Sequence, residues 1–498
     1  MLETISLALS HTVEGWNCLA MVCGAAWGII GGALPGITGA VSVALILPFT
    51  FGMSPSMSLA LLVSCYTGAM FGGSISSIML GAPGTASAAA TLLDGRELYK
   101  KGYGGLAVGV ALASSVLGGL FGSLVLIFFC TPLANLALLF GPPEYFILGV
   151  FGVSIIASLS KDKTRGFIAG LVGMMVATIG IDQFTGLERF TGGYIELLNG
   201  VEFLPVLIGV FALTEMIMQS SAEGPAATEP EALLPKVRTQ LPSLKMLFKL
   251  RWSILIGSLS GTIIGIMPGA GGNIASWFAY SQAKQFSKTP EEFGHGSMEG
   301  IAAPEAANNA SEGGALIPML ALGIPGSNTT AIMLGALTLQ GLNPGPVLFS
   351  EHPEIVHTVY GTAFLSNFMV MLLGMIIIKP MLRVSMVKTR YCVTCIMLLI
   401  CTAAFSIQTN IFDVWVALFF GLVGIIMKRF NFSVAAFVLG MILGPILEVS
   451  LQRSLVLSRG DFSIFFTRPI CMGLLAITVA SFIFPYLSAY LKQRRQTA

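Results

Sequence analysis

Apolar runs long enough to cross a bilayer as helices alternate with short polar loops along nearly the whole chain, and several runs are interrupted by proline and glycine. The first run, residues 16–51, breaks at Leu34-Pro35-Gly36-Ile37-Thr38-Gly39, and the second, 57–93, breaks at Gly81-Ala82-Pro83-Gly84-Thr85. Unbroken runs are predicted at 105–131, 134–160, 166–181 and 203–219. Two further broken runs cover 252–281 and 301–341, followed by spans at 357–380, 391–407, 411–427, 431–449 and 467–489. Proline removes a backbone donor and glycine opens the helix, so each interruption frees main-chain groups at membrane depth. Freed groups are tolerated there only where protein or a watery cavity satisfies them. The pattern therefore predicts an all-α polytopic membrane protein with broken or re-entrant helices.

The polar segments divide the chain. Residues 220–250 form the one long polar stretch, acidic first and then basic at Lys236, Arg238, Lys245 and Lys249, and read as a cytoplasmic linker between a membrane repeat at 1–219 and a second at 251–498. Asp94 to Lys101 reads as a loop carrying the first basic residues. Basic loops at Lys161/Lys163/Arg165, Arg383/Lys388/Arg390 and Lys428/Arg429 alternate with an acidic one at Asp182, Glu188, Glu196 and Glu202. By the positive-inside rule this threading puts the N-terminus outside and the C-terminus, which ends Lys492-Gln493-Arg494-Arg495, in the cytoplasm.

Composition sharpens the class. Of 498 residues 55% are hydrophobic and 10% charged, against roughly 25% charged in a soluble domain, and the mean hydropathy is +0.84. A net charge of +2 gives no reason to expect nucleic acid. The first 15 residues hold Glu3 and Glu14 but no Lys or Arg, unlike the positive start of a cleaved signal. The eight cysteines sit mostly in apolar runs, where a thiol behaves as a small hydrophobe. Cys392 and Cys395 form a C-x-x-C without an electropositive surrounding or second ligand pair.

An internal repeat links the two membrane segments. Gly28, Ile30, Gly32, Pro35, Gly36 and Gly39 recur as Gly261, Ile263, Gly265, Pro268, Gly269 and Gly272, a constant offset of 233. Leu80-Gly81-x-Pro83-Gly84-Thr85 recurs as Leu322-Gly323-x-Pro325-Gly326-Ser327 at an offset of 242, and Phe167/Gly170 more weakly as Phe437/Gly440. The loop after the second break carries Arg96, Lys100 and Lys101, whereas its counterpart, 340–358, has Glu351 and Glu354 and no Lys or Arg. Opposite loop signs place the two loops on opposite sides, the mark of inverted-topology repeats.

The breaks are where chemistry is expected. The N-terminus of a half-helix presents unpaired N–H groups and about half a positive charge, enough to hold a carboxylate. Polar uncharged residues cluster there: Thr38, Thr85, Ser87, Asn273, Ser327, Asn328, Thr329 and Thr330 are candidate solute contacts. Carbonyls at the opposing half-helix ends, around Gly36, Gly39, Gly269 and Gly272, are candidates for a coupling cation. No Lys or Arg lies inside a broken run, so a bound anion would be held by dipoles, hydroxyls and amides. Within Pro304–Pro318, Glu305, Asn308, Asn309 and Glu312 share one helical face. That face either lines the cavity or binds a cation, with Asn308 and Asn309 as further solute contacts, or it belongs to a solvated interfacial helix.

At these residues the chain closely resembles the large membrane subunit of the bacterial tripartite tricarboxylate transporters. The likeness rests on Ala33-Leu34-Pro35-Gly36, Tyr66-x-Gly68-Ala69-Met70-x-Gly72-Gly73-Ser74-Ile75-Ser76, Ala82-Pro83-Gly84-Thr85, Met267-Pro268-Gly269-Ala270-Gly271-Gly272 and the Pro304–Pro318 window running on to Gly323-Ile324-Pro325-Gly326. It extends over essentially the full length, central linker included. The resemblance implies an inner-membrane importer of di- or tricarboxylates such as citrate, driven by sodium or protons. It also implies a small membrane subunit, a periplasmic binding protein that delivers solute, and an elevator-type motion; no cofactor is implied beyond a coupling sodium ion.

Two other function classes compete with this reading. An intramembrane enzyme would need a nucleophile with its base or a metal site; the four histidines, at 11, 295, 352 and 357, lack ligand spacing, and neither G-x-S-x-G nor H-E-x-x-H occurs. A passive anion channel would not need paired breaks. The expectation is a transporter without enzymatic activity.

Overall fold

The computed structural model describes residues 2–34, 37–159, 162–182, 184–221, 239–269, 271–377 and 389–479. Pro35 and Gly36 of the first break, most of the linker, and the basic C-terminal residues lie outside that set. The fold is helical; among the described residues the only strands are the two-residue pair β1 (Gly180–Ile181) and β2 (Glu188–Arg189). The first half comprises α1 (Leu2–Val13), α2 (Asn17–Ala33), α3 (Gly39–Ile46), α4 (Pro55–Leu80), α5 (Ala89–Leu98), α6 (Gly104–Ala137), α7 (Pro142–Leu159) and α8 (Lys163–Ala177). It closes with α9 (Phe203–Leu207) and α10 (Thr214–Ser221), which a π-helical stretch joins. The second half comprises α11 (Leu244–Ile266), α12 (Gly271–Phe286), α13 (Glu299–Leu322), α14 (Asn328–Leu339), α15 (Pro346–Glu351) and α16 (Pro353–Ile376). It ends with α17 (Thr389–Gln408), α18 (Ile411–Arg429), α19 (Val434–Leu457) and α20 (Ile464–Thr467). Among the described residues six helices are long and apolar enough to cross a membrane, and α1 meets α2 at an 83° bend.

The breaks fall where proline and glycine predict them. Leu34 and Met267, each preceding a proline, are extended (φ −76°, ψ 121° and φ −76°, ψ 122°), because the proline ring excludes the helical conformation for the residue before it. Gly81 and Gly323 end α4 and α13 in the left-handed conformation (φ 74° and φ 70°) that only glycine adopts without strain. These equivalent positions share backbone geometry as well as sequence.

Packing repeats too. Gly24, Gly28 and Gly32 bring α2 against the carbonyls of Leu61, Cys65 and Ala69 on α4, and Gly257, Gly261 and Gly265 bring α11 against those of Ala303, Ala307 and Ser311 on α13. The glycines correspond at the 233 offset and the carbonyls at 242. A Cβ at Gly28 would lie 2.1 Å from the Cys65 oxygen, and one at Gly261 would lie 2.2 Å from the Ala307 oxygen, so both contacts require the missing side chain. Contacts between halves are reciprocal: α3 packs on α14 while α12 packs on the short turn Ala86–Ala88, and α6 packs on α13 while α16 packs on α4.

The centre is formed by α4 and α13. The apolar window of α4 is wholly buried inside protein, and α13 is buried from Gly300 to Ala321. Both can therefore carry polar side chains at depth that a lipid-facing helix could not.

Three expectations need correction. The run expected to end at 131 continues through Pro132 as one 34-residue helix, α6. Asp94 to Leu98, expected in a loop, is helical in α5, and Asp94 is fully buried. The Pro304–Pro318 window is not a solvated interfacial helix, since Glu305, Asn308, Asn309 and Glu312 are all at most 3% exposed. In addition, α11 begins at Leu244, within the polar stretch. Cys65, Cys130 and Cys471 are buried free thiols, whereas the side chains of Cys392 and Cys395 fall outside the described set.

Candidate functional site

A cavity of about 550 Å³ lies where the interrupted helices meet. Its wall is built largely from helix beginnings. Thr38, the N-cap of α3, lines it with Gly39; Gly269, Gly271, Gly272 and Asn273 bring the start of α12; Ser327, the N-cap of α14, lines it with Asn328 and Thr329. Thr85 and Ser87 come from the second break. A fourth helix beginning, Ser433 with Val434 and Ala435 at the start of α19, completes the ring. Each helix start has N–H groups without intrahelical partners and the positive end of its dipole, so these helix beginnings offer an anion many donors without a charged side chain of their own.

The junctions are tied by local hydrogen bonds. Gly269 N–H donates to the Gly326 carbonyl (3.1 Å), joining the third break to the fourth. The Tyr66 hydroxyl pairs with that of Ser327 (3.1 Å), and the Thr85 hydroxyl with that of Ser87 (3.0 Å). Ser327 and Thr330 cap one another: Ser327 N–H donates to Thr330 Oγ1 (2.8 Å), and Thr330 N–H to Ser327 Oγ (3.2 Å). Thr330 is thereby committed to the cap and is not on the wall.

Of the predicted solute contacts, Thr38, Thr85, Ser87, Asn273, Ser327, Asn328 and Thr329 share this wall. So do Gly39, Gly269 and Gly272 of the predicted cation contacts, while Gly36 lies outside the described residues. Asn308 and Asn309 sit behind it. Their Nδ2 groups donate to the carbonyls of Met70 (2.9 Å) and Thr67 (3.5 Å), and both Oδ1 atoms are buried without a hydrogen-bond partner. Glu305 accepts from Ser74 (2.5 Å), Thr91 (2.5 Å) and Ser115 (2.9 Å), and Glu312 from Thr67 (2.7 Å). Neither glutamate is on the wall. No cluster able to hold a metal ion through His, Cys, Asp or Glu occurs among the described residues.

Sequence reasoning missed one cationic contact: no Lys or Arg lies inside a broken run, yet a lysine from elsewhere in the chain reaches the wall. Lys428, assigned from sequence to a loop, occupies the last turn of α18 and lines the cavity, ion-paired with Glu215 of α10. The sequence signal was weak: a basic residue at a helix C-terminus usually complements the dipole there, and nothing local reveals that α18 ends against the breaks.

Residues 18–439 match the tripartite tricarboxylate transporter TctA family. The chain belongs to that family. It is 34% identical over 497 residues to an uncharacterized 52.8 kDa protein in the TAR-I ttuC' 3' region of Agrobacterium vitis, covering 99% of this chain and 98% of the relative. An uncharacterized protein in the TAR-II ttuC' 3' region of the same organism is 35% identical over 236 residues, 47% of this chain and 98% of the relative. No solved structure matches the chain. Membership makes this TctA protein a multi-pass membrane component of a transport system rather than an enzyme, and the tripartite organisation of the family gives it partner subunits.

The TctA protein has a second, larger cavity of about 1240 Å³ on the other side of α14, between the 180–204 segment, the 343–347 turn and α19. Arg189 stands there between Asp182 (3.0 Å) and Glu448 (2.5 Å). The N–H groups of Thr185 and Phe184 hold the Asp182 carboxyl below its ordinary value.

Proposed function

We propose that this chain is the solute-translocating subunit of a secondary importer for small di- or tricarboxylates in a bacterial inner membrane. The observation that carries the reading is the convergence of four helix N-termini on one cavity of 550 Å³, a size suited to a small organic anion. Hydroxyls, amides and main-chain N–H groups bind a carboxylate without the depth of a buried ion pair, which favours release as well as capture. Uphill import requires a gradient, so sodium or protons are the coupling ions. A periplasmic binding protein hands over the solute, and a small membrane subunit completes the system.

In this reading the halves are inverted repeats, with the N-terminus outside and the C-terminus in the cytoplasm. The reciprocal contacts between halves support a two-fold relation, and the opposite loop charges support inversion. The 550 Å³ cavity then faces the cytoplasm, on the side of Lys428, and the 1240 Å³ cavity is an outer vestibule beneath the acidic loops. An elevator motion of the broken helices would exchange access between the two. A passive channel does not need opposed capping sites, though it could use them, and membership of a transporter family favours transport over catalysis.

Replacing Asn328 or Asn273 by Leu is expected to abolish uptake of radiolabelled citrate or succinate in cells while protein remains in the membrane. Normal uptake by both variants would remove the cavity as the solute site. For orientation, cysteines at the exposed positions Lys100 and Glu351 should react with an impermeant thiol reagent from opposite sides of the membrane. Reaction from one side would exclude inversion.

A further inference from the structure

Among the described residues that line the 550 Å³ cavity, only Lys428 and Glu215 are charged, and they are paired with each other. Every other polar contact on the wall comes from a hydroxyl, an amide or a helix start. Such neutral donors suffice for one carboxylate. A second carboxylate on the same solute must also leave water, and its desolvation is costly unless a cation meets it. Only one ammonium group is on that wall, and it is at the end of α18, beside the start of α19 at Ser433.

The geometry points to Lys428 as the direct contact for a second carboxylate of a polyvalent solute, with Glu215 occupying that ammonium while the cavity is empty. This deepens the carboxylate-importer reading and rests on it. The pair is neither sealed nor free: the side chains of Lys428 and Glu215 are 34% and 24% exposed. Water can therefore rehydrate Glu215 when a solute carboxylate takes its place, and one carboxylate exchanges for another on the same ammonium. Because both states satisfy Lys428, the exchange is nearly balanced, as a carrier that must let go requires. A monocarboxylate, held at the neutral helix starts, leaves the pair intact and gains nothing from it. The device thus discriminates by valence: di- and tricarboxylates reach the lysine, and monocarboxylates do not.

The test uses the complete three-part system in proteoliposomes, with radiolabelled succinate, citrate and lactate as probes. Lys428→Met keeps the length of the side chain and removes its charge. It is expected to raise KM for succinate and citrate tenfold or more at normal membrane abundance, with any lactate signal unchanged. Glu215→Gln removes the competitor and should lower KM for succinate and citrate several-fold. Unchanged KM for both polyvalent probes in Lys428→Met overturns the assignment. If Lys428→Met does not assemble, Glu215→Gln decides alone, an unchanged or raised KM counting against the exchange. Failure of the unmutated system to accumulate any of the three probes would instead sink the carboxylate reading on which the assignment stands.

Discussion

Asp94 offers the clearest test of what holds the two halves around the cavity. It lies on α5 in the first half and is 0% exposed. Its Oδ1 accepts the N–H groups of Gly294 (2.8 Å), Gly296 (2.9 Å) and Ser297 (2.7 Å), and its Oδ2 accepts the Tyr280 hydroxyl (2.9 Å). All four donors belong to α12 or to the turn leading into α13, so one carboxylate ties α5 to the segment that follows the third break. A hydrogen bond to a charged acceptor contributes about 1.5–3 kcal/mol. Four such bonds would overstate the loss in Asp94→Ala, because Gly294 and Gly296 are only half-buried and water can replace the carboxylate there. Ser297 N–H and the Tyr280 hydroxyl stay dry, and each orphaned buried donor costs about 1–3 kcal/mol. The expected destabilisation is therefore roughly 2–6 kcal/mol for Asp94→Ala. Asp94→Asn keeps one oxygen for the three N–H groups and can donate its amide to Tyr280, so about 1–2 kcal/mol is expected, the difference between charged and neutral bonds. Thermal unfolding in detergent with a thiol-reactive dye reads this directly, since Cys65, Cys130 and Cys471 are buried and react only when the helices part. Asp94 is not on the cavity wall, so KM for the transported solute should be unchanged in the asparagine variant. Equal melting of the alanine and asparagine variants, or an alanine variant as stable as the parent, would refute the account of Asp94 as a clamp.

Two further predictions follow from packing and charge. Gly28→Val and Gly261→Val each require about 1 Å of helix separation to relieve a Cβ placed 2.1 or 2.2 Å from a carbonyl oxygen, and each should cost about 1–3 kcal/mol or more in the same unfolding assay. A large cost in one half and none in the other would contradict equivalent packing. Asp182 is held below its ordinary carboxylate value in the fold, so its contribution to loop order is complete above that value, near 4, and is lost as pH falls through its own lowered value. Hydrogen exchange in segment 184–203, corrected for intrinsic rates, should show protection at neutral pH that declines in acid; protection independent of pH would exclude Asp182 as its anchor.

What could be read from the chain and what could not divides along the range of the forces involved. The breaks were legible because proline and glycine act on their own backbone, and Leu34, Met267, Gly81 and Gly323 adopt the conformations their neighbours dictate. The polar residues at those breaks, Thr38, Thr85, Asn273 and Ser327 to Thr329, followed from the same local logic and share one wall. Thr330 did not, because its side chain is consumed by the cap it forms with Ser327. Lys428, Glu215 and the Ser433 helix start were hidden because they reach the cavity through packing between segments over 200 residues apart. Asp94 looked like a loop charge for a similar reason: the backbone amides that satisfy it belong to residues 294–297. Pro132 misled in the other direction, since a membrane helix can absorb a proline when its neighbours and local backbone adjustments meet the freed carbonyl.

The distribution of charge around the two central helices also explains why the site is placed at the breaks and not on the polar face of α13. Glu305 and Glu312 are enclosed and held by hydroxyl donors from α4, α5 and α6, so their acceptor capacity is turned inward to join helices. Asn308 and Asn309 donate to α4 carbonyls and likewise face the α4–α13 seam. That seam is a closely packed interior in which only the Oδ1 atoms of Asn308 and Asn309, among the buried polar atoms of these four side chains, lack a partner. Where α3, α12, α14 and α19 begin, the main chain has donors left over, and the surrounding wall supplies one ammonium and one carboxylate. The fold thus separates cohesion from binding: side chains on the central helices bond to one another, and the donors left open to a solute are those of the helix beginnings, with the Lys428 ammonium beside them.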